Sequence, residues 1–546
     1  YQPPAVVRKM PSVTTSMGAI ALFVLATLFL LGDARRVRAG QAGRAILLDI
    51  EDVLGRDQRE VIHKRGNQME DHLSHTFRSL PQNSRGALSA PAAGYALHRL
   101  FLQLHGWQMK GLQPSGSAWS EQSPTSLLLN RGINRLHDIF EERLSQHGLD
   151  LHELSTLAAC IELQVRDEAD SLLNVSLQAS GIYHMTKELG ATDAYEVMEA
   201  YMASYVLGTE KLGGKGEITA NDVRLLRRNI GSYPRWQQVR DLVRESVEQI
   251  APATKTFNFK IMSDILLATS DNFFKLEDKE CRALSNQLVE MEDQSGSGRV
   301  LMNDFYRPAF HTGMLEFTES SDYLRQQGAL DETDPSSPRV IIPNYIMADS
   351  NCLANSNFYS VCCVDMCEEM MDQIEMSVQA PSATPEHLLA VVNQLPGASI
   401  SKELADKLEE VAENSHGEVP LHGRLFAQWM HHAFPRQCVF PHLAGAITKQ
   451  SLGEFTAERH ESAAFAGFEE MKEIIEGHSS SSSRPRNDFS MWSEDEELVD
   501  ARGFEQHIQR PRSSTPWSCF WMVSVLAGFV GTVAKLAPEM LSSSGS

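Results

Sequence analysis

The chain has 546 residues and a formal net charge of −22, because 49 lysines and arginines face 71 aspartates and glutamates. This acidity excludes a protein that binds the phosphate backbone of nucleic acids, since that role needs clustered cations. The composition, 42% hydrophobic and 22% charged, is that of a globular protein, and eight cysteines are too few for a scaffold built on disulfides.

An apolar stretch at residues 18–32 lies near the N-terminus, between basic residues on both sides. Its length suits the core of a signal peptide, and the tripeptide at 32–34 offers a small-x-small cleavage site. Three arginines follow at once, and dense positive charge favours retention on the cytosolic side. Residues 1–39 are therefore predicted to be either a cleaved signal peptide or a signal anchor, and the pattern leaves both open.

Residues 40–90 show weak periodicity and are predicted to be a poorly ordered connection, with a short helix or strand near residues 44–54. From Tyr95 onward, apolar residues recur at helical spacing, and residues 91–275 are predicted to be an N-terminal helical domain. Further helices are expected near 192–210, 221–230, 236–249, 259–268 and 278–292. Few strand patterns are present, so the fold class is predicted to be mainly α.

The most informative segment, residues 288–306, has the form of a calcium-binding EF-hand loop between two helices. Such a loop supplies oxygens at alternate residues because a hard cation takes roughly six to eight oxygen ligands around one point. Gly298 takes the sixth position, where the chain turns sharply, and Val300 supplies the apolar eighth. The predicted calcium ligands are Asp293, Ser295, Ser297, the Arg299 carbonyl and Asp304.

Several features of this loop depart from the EF-hand form. Only Asp293 and Asp304 are carboxylates, and the twelfth residue is Asp rather than the longer Glu, although affinity for calcium follows ligand charge. Pro308 is expected to end the exiting helix early. The loop is therefore either a calcium site or a structural turn that keeps the fold without the ion.

The pattern recurs around Val340, which corresponds to Val300 of the first loop. EF-hand loops pair through a short antiparallel contact between their eighth residues, so we expect these two valines to lie together. Thr333 at the first position and Pro338 at the sixth predict that the second loop binds no ion. Residues 276–350 are thus predicted to form a degenerate EF-hand-like pair.

Two weaker matches to the same pattern lie elsewhere in the chain. One has Gly216 at the turn and Ile218 at the eighth position, and the other has Gly417 and Val419. Each is weak alone, since glycine followed by a β-branched residue is common between helices. Together they indicate a scaffold built from degenerate repeats.

Residues 351–476 are predicted to be a C-terminal helical domain that contains most of the cysteines and several histidines. The CxxC spacing of a zinc ribbon is absent. In the cytosol the cysteines would be buried thiols, and in an oxidising lumen they would pair. The pairs expected in a lumen are Cys352 with Cys362 or Cys363, and Cys367 with Cys438.

Clustered histidines leave a zinc site as an alternative to simple aromatic packing. The residues of that alternative are His431, His432, Cys438 and His442. No nucleophile elbow, phosphate loop, dinucleotide fingerprint or two-histidine metalloprotease helix occurs in the sequence. We therefore expect no enzyme, with a hydrolase or redox enzyme using Cys362, Cys363 or His431 as the alternative.

The C-terminal part begins with residues 477–515, which are predicted to be a disordered, serine-rich acidic linker. Its acidic run at residues 494–497 is either a docking motif or, as favoured, part of a solvated tether. An uncharged apolar stretch follows, and residues 516–536 are predicted to be a transmembrane helix. The protein is thus expected to be integral to a membrane, and the side of its main body is left open.

Three long strings lie between residues 90 and 442 and together resemble one family. They are YALHRLFLQLHGW, NFYSVCCVDMCEEMM and VPLHGRLFAQWMHHAFP. The family is a large set of uncharacterised dinoflagellate proteins that carry EF-hand-like segments. The resemblance implies a shared fold and carries no catalytic residues over.

These observations predict a membrane-anchored, mainly helical protein with a degenerate EF-hand-like pair at its centre and a hydrophobic segment at each end. Its expected function is that of a calcium-responsive or structural module that binds an unidentified protein partner, without catalysis. A purely structural membrane scaffold that binds no ion is the first alternative, and an enzyme with dispersed cysteine and histidine residues is the second.

Overall fold

The structure is a computed structural model that describes residues 45–509, apart from 113–122, 132–133, 184–187, 209–217, 314–315, 354–355, 399, 458 and 478–488. The main body ends at Phe504, and of the unit that follows only residues 505–509 are described.

Helices of very different length make up most of the described chain. In chain order they are residues 45–54 (α1), Arg56–Arg78 (α2), Ala90–His105 (α3), Asn134–His147 (α4), Leu151–Ala179 (α5), Ala191–Leu207 (α6), Ala220–Asn229 (α7), Trp236–Ile250 (α8), Phe259–Glu290 (α9), Met302–Thr312 (α10), Ser321–Gln326 (α11), Ile342–Ile346 (α12), Glu368–Val378 (α13), Pro385–Val392 (α14), Lys402–Asn414 (α15), Arg424–Ala433 (α16), Leu452–Ala457 (α17), Phe468–Gly477 (α18) and Ala501–Gln509 (α19). Short 3₁₀ segments lie at Pro124–Arg131, Ile230–Ser232, Asp349–Asn351 and Glu461–Ala464. The predicted mainly α class is confirmed.

Strands in the described residues are only two or three residues long. They are Trp107–Met109 (β1), Leu189–Gly190 (β2), Thr256–Phe257 (β3), Arg299–Leu301 (β4), Leu330–Asp331 (β5), Arg339–Ile341 (β6), Tyr359–Val361 (β7), Ser382–Ala383 (β8) and Val419–Pro420 (β9).

The prediction of a poorly ordered connection over residues 40–90 is wrong. Helix α2 fills much of this range, and its buried residues Ile62, Met69 and Leu73 lie on one face that packs against α5. The apolar residues of α2 are widely spaced, so the amphipathic pattern of this helix is weak in the sequence. An apolar residue in every second turn is nevertheless enough to bury one face of the helix.

The N-terminal core is organised around α5, a long helix whose start is fixed by a capping box. The Asp150 side chain accepts from the Glu153 backbone N–H at 2.8 Å, and the Glu153 side chain accepts from the Asp150 N–H at 3.2 Å. The helices predicted at 259–268 and 278–292 are one continuous helix, α9. Buried Phe273 continues its apolar face, and no glycine or proline interrupts it.

A strand from beyond the predicted domain boundary at residue 351 completes this N-terminal core. Strand β7 pairs antiparallel with β1, so that Trp107 lies opposite Val361. The Trp107 and Tyr359 rings stack with centroids 4.6 Å apart. The segment around β7 therefore belongs with the N-terminal helices, because Tyr359 and Val361 are buried in the N-terminal core together with Trp107.

Three antiparallel ladders share one arrangement, in which each strand leads into a helix within a few residues. Strand β2 pairs with β3, β4 pairs with β6, and β8 pairs with β9. The opposed residues include Ala383 and Val419, so the weak match around Val419 is part of such a ladder. The other weak match is centred on Gly216, which lies outside the described residues. A repeated strand-then-helix unit is thus present.

Residues 489–504 of the predicted disordered linker pack against the body, so the linker prediction fails for them. Phe489 and Trp492 lie against the C-terminal core, and the backbone of Val499 donates to His422 O at 3.3 Å. The serine-rich part before Phe489 lies outside the described residues. Within the described ranges, none of the helices has the length and apolarity to span a membrane. Both terminal apolar stretches fall outside those ranges.

Candidate functional site: the paired loops

The two loops predicted as a pair are joined as expected. Helix α9 ends at Glu290, and its loop leads through β4 into α10. Val300 of β4 lies directly opposite Val340 of β6 in an antiparallel ladder, which confirms the predicted valine contact. The Ile342 N–H donates to Gly298 O at 2.9 Å, and the Met302 N–H donates to Pro338 O at 3.0 Å. The ladder thus closes symmetrically at both ends.

The aromatic residues after the two loops form the core beneath the ladder. Phe305 and Tyr345 are both buried, and their rings meet edge to face with centroids 5.3 Å apart. Each of them comes five residues after the ladder valine of its loop. Buried aromatic pairs of this geometry hold the exiting helices of both loops at a fixed separation.

Each loop sends its arginine to the aspartate of the other loop. Arg299 Nε donates to Asp331 Oδ2 at 2.8 Å, and these side chains are 2% and 1% exposed. Arg339 Nε donates to Asp293 Oδ2 at 2.7 Å, with exposures of 17% and 5%. The two contacts are related by the pseudo-symmetry of the ladder, and together they place two guanidinium cations among the loop carboxylates. We call these four residues the crossed ion pairs.

The predicted first position of the second loop is wrong. Asp331 pairs with Arg339 in the ladder, and the Asp293 N–H donates to Arg299 O at 3.0 Å, so Asp331 is the counterpart of Asp293. Thr333 donates from its N–H and its hydroxyl to Asp331 Oδ1, at 3.1 and 2.7 Å. The second loop is longer than the first, and an alignment at constant spacing therefore shifts the acidic residue.

Three of the five predicted calcium ligands are brought together. Ser297 Oγ donates to Asp293 Oδ1 at 2.6 Å and lies 3.3 Å from Arg299 O. Ser295 is exposed at the tip of the loop, and Asp304 Oδ1 is 3.0 Å from an Arg307 nitrogen one turn along α10. No group of three or more histidine, cysteine, aspartate or glutamate side chains in the described part of the chain is placed to hold a metal.

Glu292 is the functional residue of the first loop that the sequence comparison missed, because it precedes the first EF-hand position. Its carboxylate accepts from the backbone N–H groups of Gly296 and Gly298, both at 2.9 Å. Arg436 adds a bidentate contact at 2.8 and 2.5 Å. Burial opposes the charged form, but Arg436 and the two N–H groups outweigh it and hold the pKa of Glu292 below its ordinary value.

A segment after α16 presses on the turn of the first loop. Gly298 has a φ of +64°, and a Cβ added there would lie 1.9 Å from Pro435 O. Glycine is required at this position for two reasons, the left-handed backbone and the close approach of another chain segment. The sixth-position glycine predicted from the EF-hand pattern is therefore also a packing contact.

An open groove lies beside the loop, between the end of α9 and the face of α10. Its volume is about 550 Å³. The residues that line it are Glu290, Met291, Glu292, Asp304, Arg307, Pro308 and His311. Glu292 and Asp304 each have an arginine partner, so the acidic character of this groove is partly neutralised.

Three disulfides cross-link the segments around the paired loops. They are Cys281–Cys363, Cys352–Cys362 and Cys367–Cys438. The second and third are among the pairs expected for an oxidising lumen. The pair of Cys281 with Cys363 is not among them, and its two cysteines are 82 residues apart in the sequence. Cys160, the one thiol among the described cysteines, is buried.

The disulfides determine the state of the cysteines named in the zinc and enzyme alternatives, and both alternatives stay predictions. Cys438 is bonded to Cys367 and cannot bind zinc as a thiolate, and Cys362 and Cys363 cannot act as thiol nucleophiles. His431 is fully buried, and its Nδ1 lies 2.7 Å from Cys438 O. These histidines contribute to the packing of the C-terminal core.

No protein-family model, no curated protein and no solved structure matches the chain. The resemblance to dinoflagellate proteins with EF-hand-like segments therefore stays a prediction.

Proposed function

We propose that this protein is a membrane-anchored, non-catalytic interaction module whose degenerate EF-hand-like pair is a structural joint that works without a bound ion. The crossed ion pairs carry this proposal. In an EF-hand the loop carboxylates surround a dissociable cation. Here Asp293 and Asp331 each receive a guanidinium from the opposite loop, at 2.7 and 2.8 Å.

An arginine suits this role because it stays protonated at every physiological pH and is part of the chain. Its attraction to the carboxylate does not depend on the concentration of calcium. The buried positions of Arg299 and Asp331 strengthen the pair, since water screens it little. The joint would thus hold α9, α10 and α12 in one arrangement at all times.

A calcium-responsive module is the second candidate, and one observation favours it. Asp293, Ser297 and the Arg299 carbonyl converge as a calcium loop requires. In this version calcium displaces Arg339 from Asp293, and the released guanidinium loosens the ladder. The two candidates therefore differ in what Arg339 does.

The three disulfides support a main body that faces an oxidising compartment. Of the two N-terminal alternatives predicted from the sequence, this proposal agrees with the cleaved signal peptide. Protease protection of the chain in intact vesicles tests it, and digestion of the body by protease added on the cytosolic side would contradict it.

Calorimetric titration of the full chain with calcium separates the two candidates. We expect no binding heat up to millimolar calcium for the unmodified chain, because Arg339 occupies the Asp293 carboxylate. Arg339→Gln should bind calcium more strongly than the unmodified chain. Arg325→Gln is the matched control, since Arg325 is half-exposed and pairs with Glu332 away from the first loop. Calcium binding by the unmodified chain that Asp293→Asn abolishes would favour the second candidate and overturn the first.

A further inference from the structure

Residues 489–500, which we call the strap, lie across the C-terminal helices, with a turn at each end and no helix between the turns. The strap follows α18 in the chain and leads into α19. It runs past the first turn of α16, where Leu498 forms a bridge with Gly423. We call the surface beneath it the strap groove, which is formed by Lys407, Gly423, Arg424, Leu425, Gln428, His432 and Ala444.

The groove binds the backbone of the strap through two side chains of α16. Gln428 donates from Nε2 to Ser493 O and accepts from the Ser493 N–H, both at 3.1 Å. Arg424 donates to Ser493 O at 2.8 Å and, from Nε, to Asp495 O at 2.8 Å. Arg424 and Gln428 are 6% and 0% exposed. Such buried donors and acceptors recognise an extended peptide whatever its side chains, as an added strand does.

The acidic side chains of the strap meet backbone donors and a cation. Glu496 Oε1 accepts from the Leu425 N–H at 3.1 Å, at the start of α16, where the helix dipole favours an anion. Both carboxylate oxygens of Glu497 accept from the Ala444 N–H at 3.1 Å. Lys407 Nζ is 3.2 Å from Glu494 Oε1. These contacts recognise carboxylates at fixed positions along the strap.

Two aromatic side chains at the start of the strap also contact the groove. The Trp492 ring lies 5.3 Å from Lys407 Nζ and 5.8 Å, between centroids, from His432. Phe489 lies 5.1 Å from the same histidine ring. Trp492 and Phe489 are both partly buried, and an aromatic residue next to a cation is a common hot spot of peptide recognition.

The strap lies close to the backbone of the groove, but two buried side-chain atoms of the strap lack hydrogen bonds. A Cβ added at Gly423 would lie 2.9 Å from both Glu496 carboxylate oxygens and 3.0 Å from Leu498. Trp492 Nε1 and Glu496 Oε2 are buried, and neither makes a hydrogen bond to any described residue. Buried polar atoms without partners oppose docking, so the strap is bound less tightly than its contacts alone would allow.

We propose that the strap groove is a peptide-binding site for an extended acidic segment of the pattern Trp-x-x-x-Glu-Glu, filled by the chain's own strap and able to take the strap of a second copy. The inference rests on the proposed interaction role and names the partner chemistry. A second strap can replace the first because every contact described above lies between the strap and the groove, and the same set forms between chains. Lys407 and backbone N–H groups contact strap carboxylates, and the Arg424 guanidinium lies beside the strap backbone, so basic segments are excluded from the site.

Binding of a fluorescent synthetic peptide of residues 489–500 to the full chain tests this proposal. The triple variant Trp492→Ala, Glu496→Gln, Glu497→Gln weakens the chain's own strap and should bind the peptide at least tenfold more tightly than the unmodified chain. Adding Arg424→Gln to that variant should abolish binding, and a peptide that carries the three strap substitutions should not bind.

A second variant separates a loss of peptide binding from a loss of the fold. Gly423→Val places a side chain against the strap without any backbone penalty, since its φ is −113°. It should prevent both docking and peptide binding while the circular dichroism spectrum is retained. A folded triple variant that binds no peptide would overturn the proposal. All measurements are made once with calcium and once with a chelator. A dependence on calcium would contradict the ion-free joint, whereas an absence of peptide binding under both conditions would contradict the strap groove.

Discussion

Arg299 Nε donates to Asp331 Oδ2 at 2.8 Å, and both side chains are almost completely buried between the two loops. The arrangement is one half of the crossed ion pairs, in which the arginine that directly precedes the ladder valine of each loop supplies a cation to the other loop. A loop pair of this kind carries its own counter-charge. Its stability is therefore a property of the polypeptide and can be tested by changing single side chains.

Removing one partner of the buried pair should be costly. Asp331→Ala leaves the Arg299 guanidinium buried without its carboxylate, and we expect a loss of about 3–5 kcal/mol in the free energy of unfolding. Urea unfolding followed by circular dichroism measures it. The control is Asp322→Ala, whose side chain is 83% exposed beside Arg325, with an expected loss of about 0.5 kcal/mol or less. Equal losses for the two variants would show that the buried pair contributes no more to the free energy of unfolding than an exposed pair does.

Two glycines of the first loop should respond differently to alanine. Gly296 has a φ of +84° with open space around it, so Gly296→Ala should cost about 1 kcal/mol for the backbone conformation alone. Gly298→Ala adds a clash with Pro435 O, and its cost should reach about 3 kcal/mol or more. Thermal unfolding of both variants checks the difference. Similar costs would mean that the segment around Pro435 does not press on the loop.

The disulfides should differ in their contribution to stability. Cys281–Cys363 spans 82 residues and Cys352–Cys362 spans 10. The chain-entropy model assigns about 4.5 kcal/mol to the long loop and about 2.7 kcal/mol to the short one. The double variants Cys281→Ser, Cys363→Ser and Cys352→Ser, Cys362→Ser test this in guanidinium unfolding. Peptide mapping without reduction is the control, and any other pairing pattern would invalidate the comparison.

Stability should fall in acid because of Glu375, a buried carboxylate of α13 that pairs with Arg99 of α3. Burial opposes the charged form of Glu375, but Arg99 and the His422 side chain outweigh it and lower the pKa of Glu375 from 4.5 to about 2. The unfolded chain therefore binds a proton more readily, and the stabilisation is complete above pH 4.5. It is lost as the pH falls towards 2, by on the order of 3 kcal/mol.

Unfolding free energies measured between pH 6 and pH 2 check this dependence. Glu375→Gln should lower stability at neutral pH and flatten the decline in acid. Glu332→Gln, at a half-exposed pair with Arg325, should leave the decline unchanged. A decline of the same steepness in Glu375→Gln would assign the acid sensitivity to other carboxylates.

The ladder of the paired loops could be predicted from local pattern, and the ion pairs could not. Glycine followed by a β-branched residue between two helices marks a turn and a short strand, and its recurrence predicted the contact of Val300 with Val340. The side-chain partners of Arg299 and Arg339 depend on distances across the ladder and on an extra length in the second loop. No spacing within one loop contains that information.

The sequence by itself determined the helical class, because apolar residues at helical spacing recur through most of the body, and it determined two of the three disulfides among its stated alternatives. Only the tertiary structure decided that Cys281 bonds to Cys363, that the strap is bound to α16, and that loop carboxylates hold arginines. Local pattern reports which face of an element is apolar. Ion pairs and disulfides form between side chains that are close in space. These side chains come close only after the helices have packed.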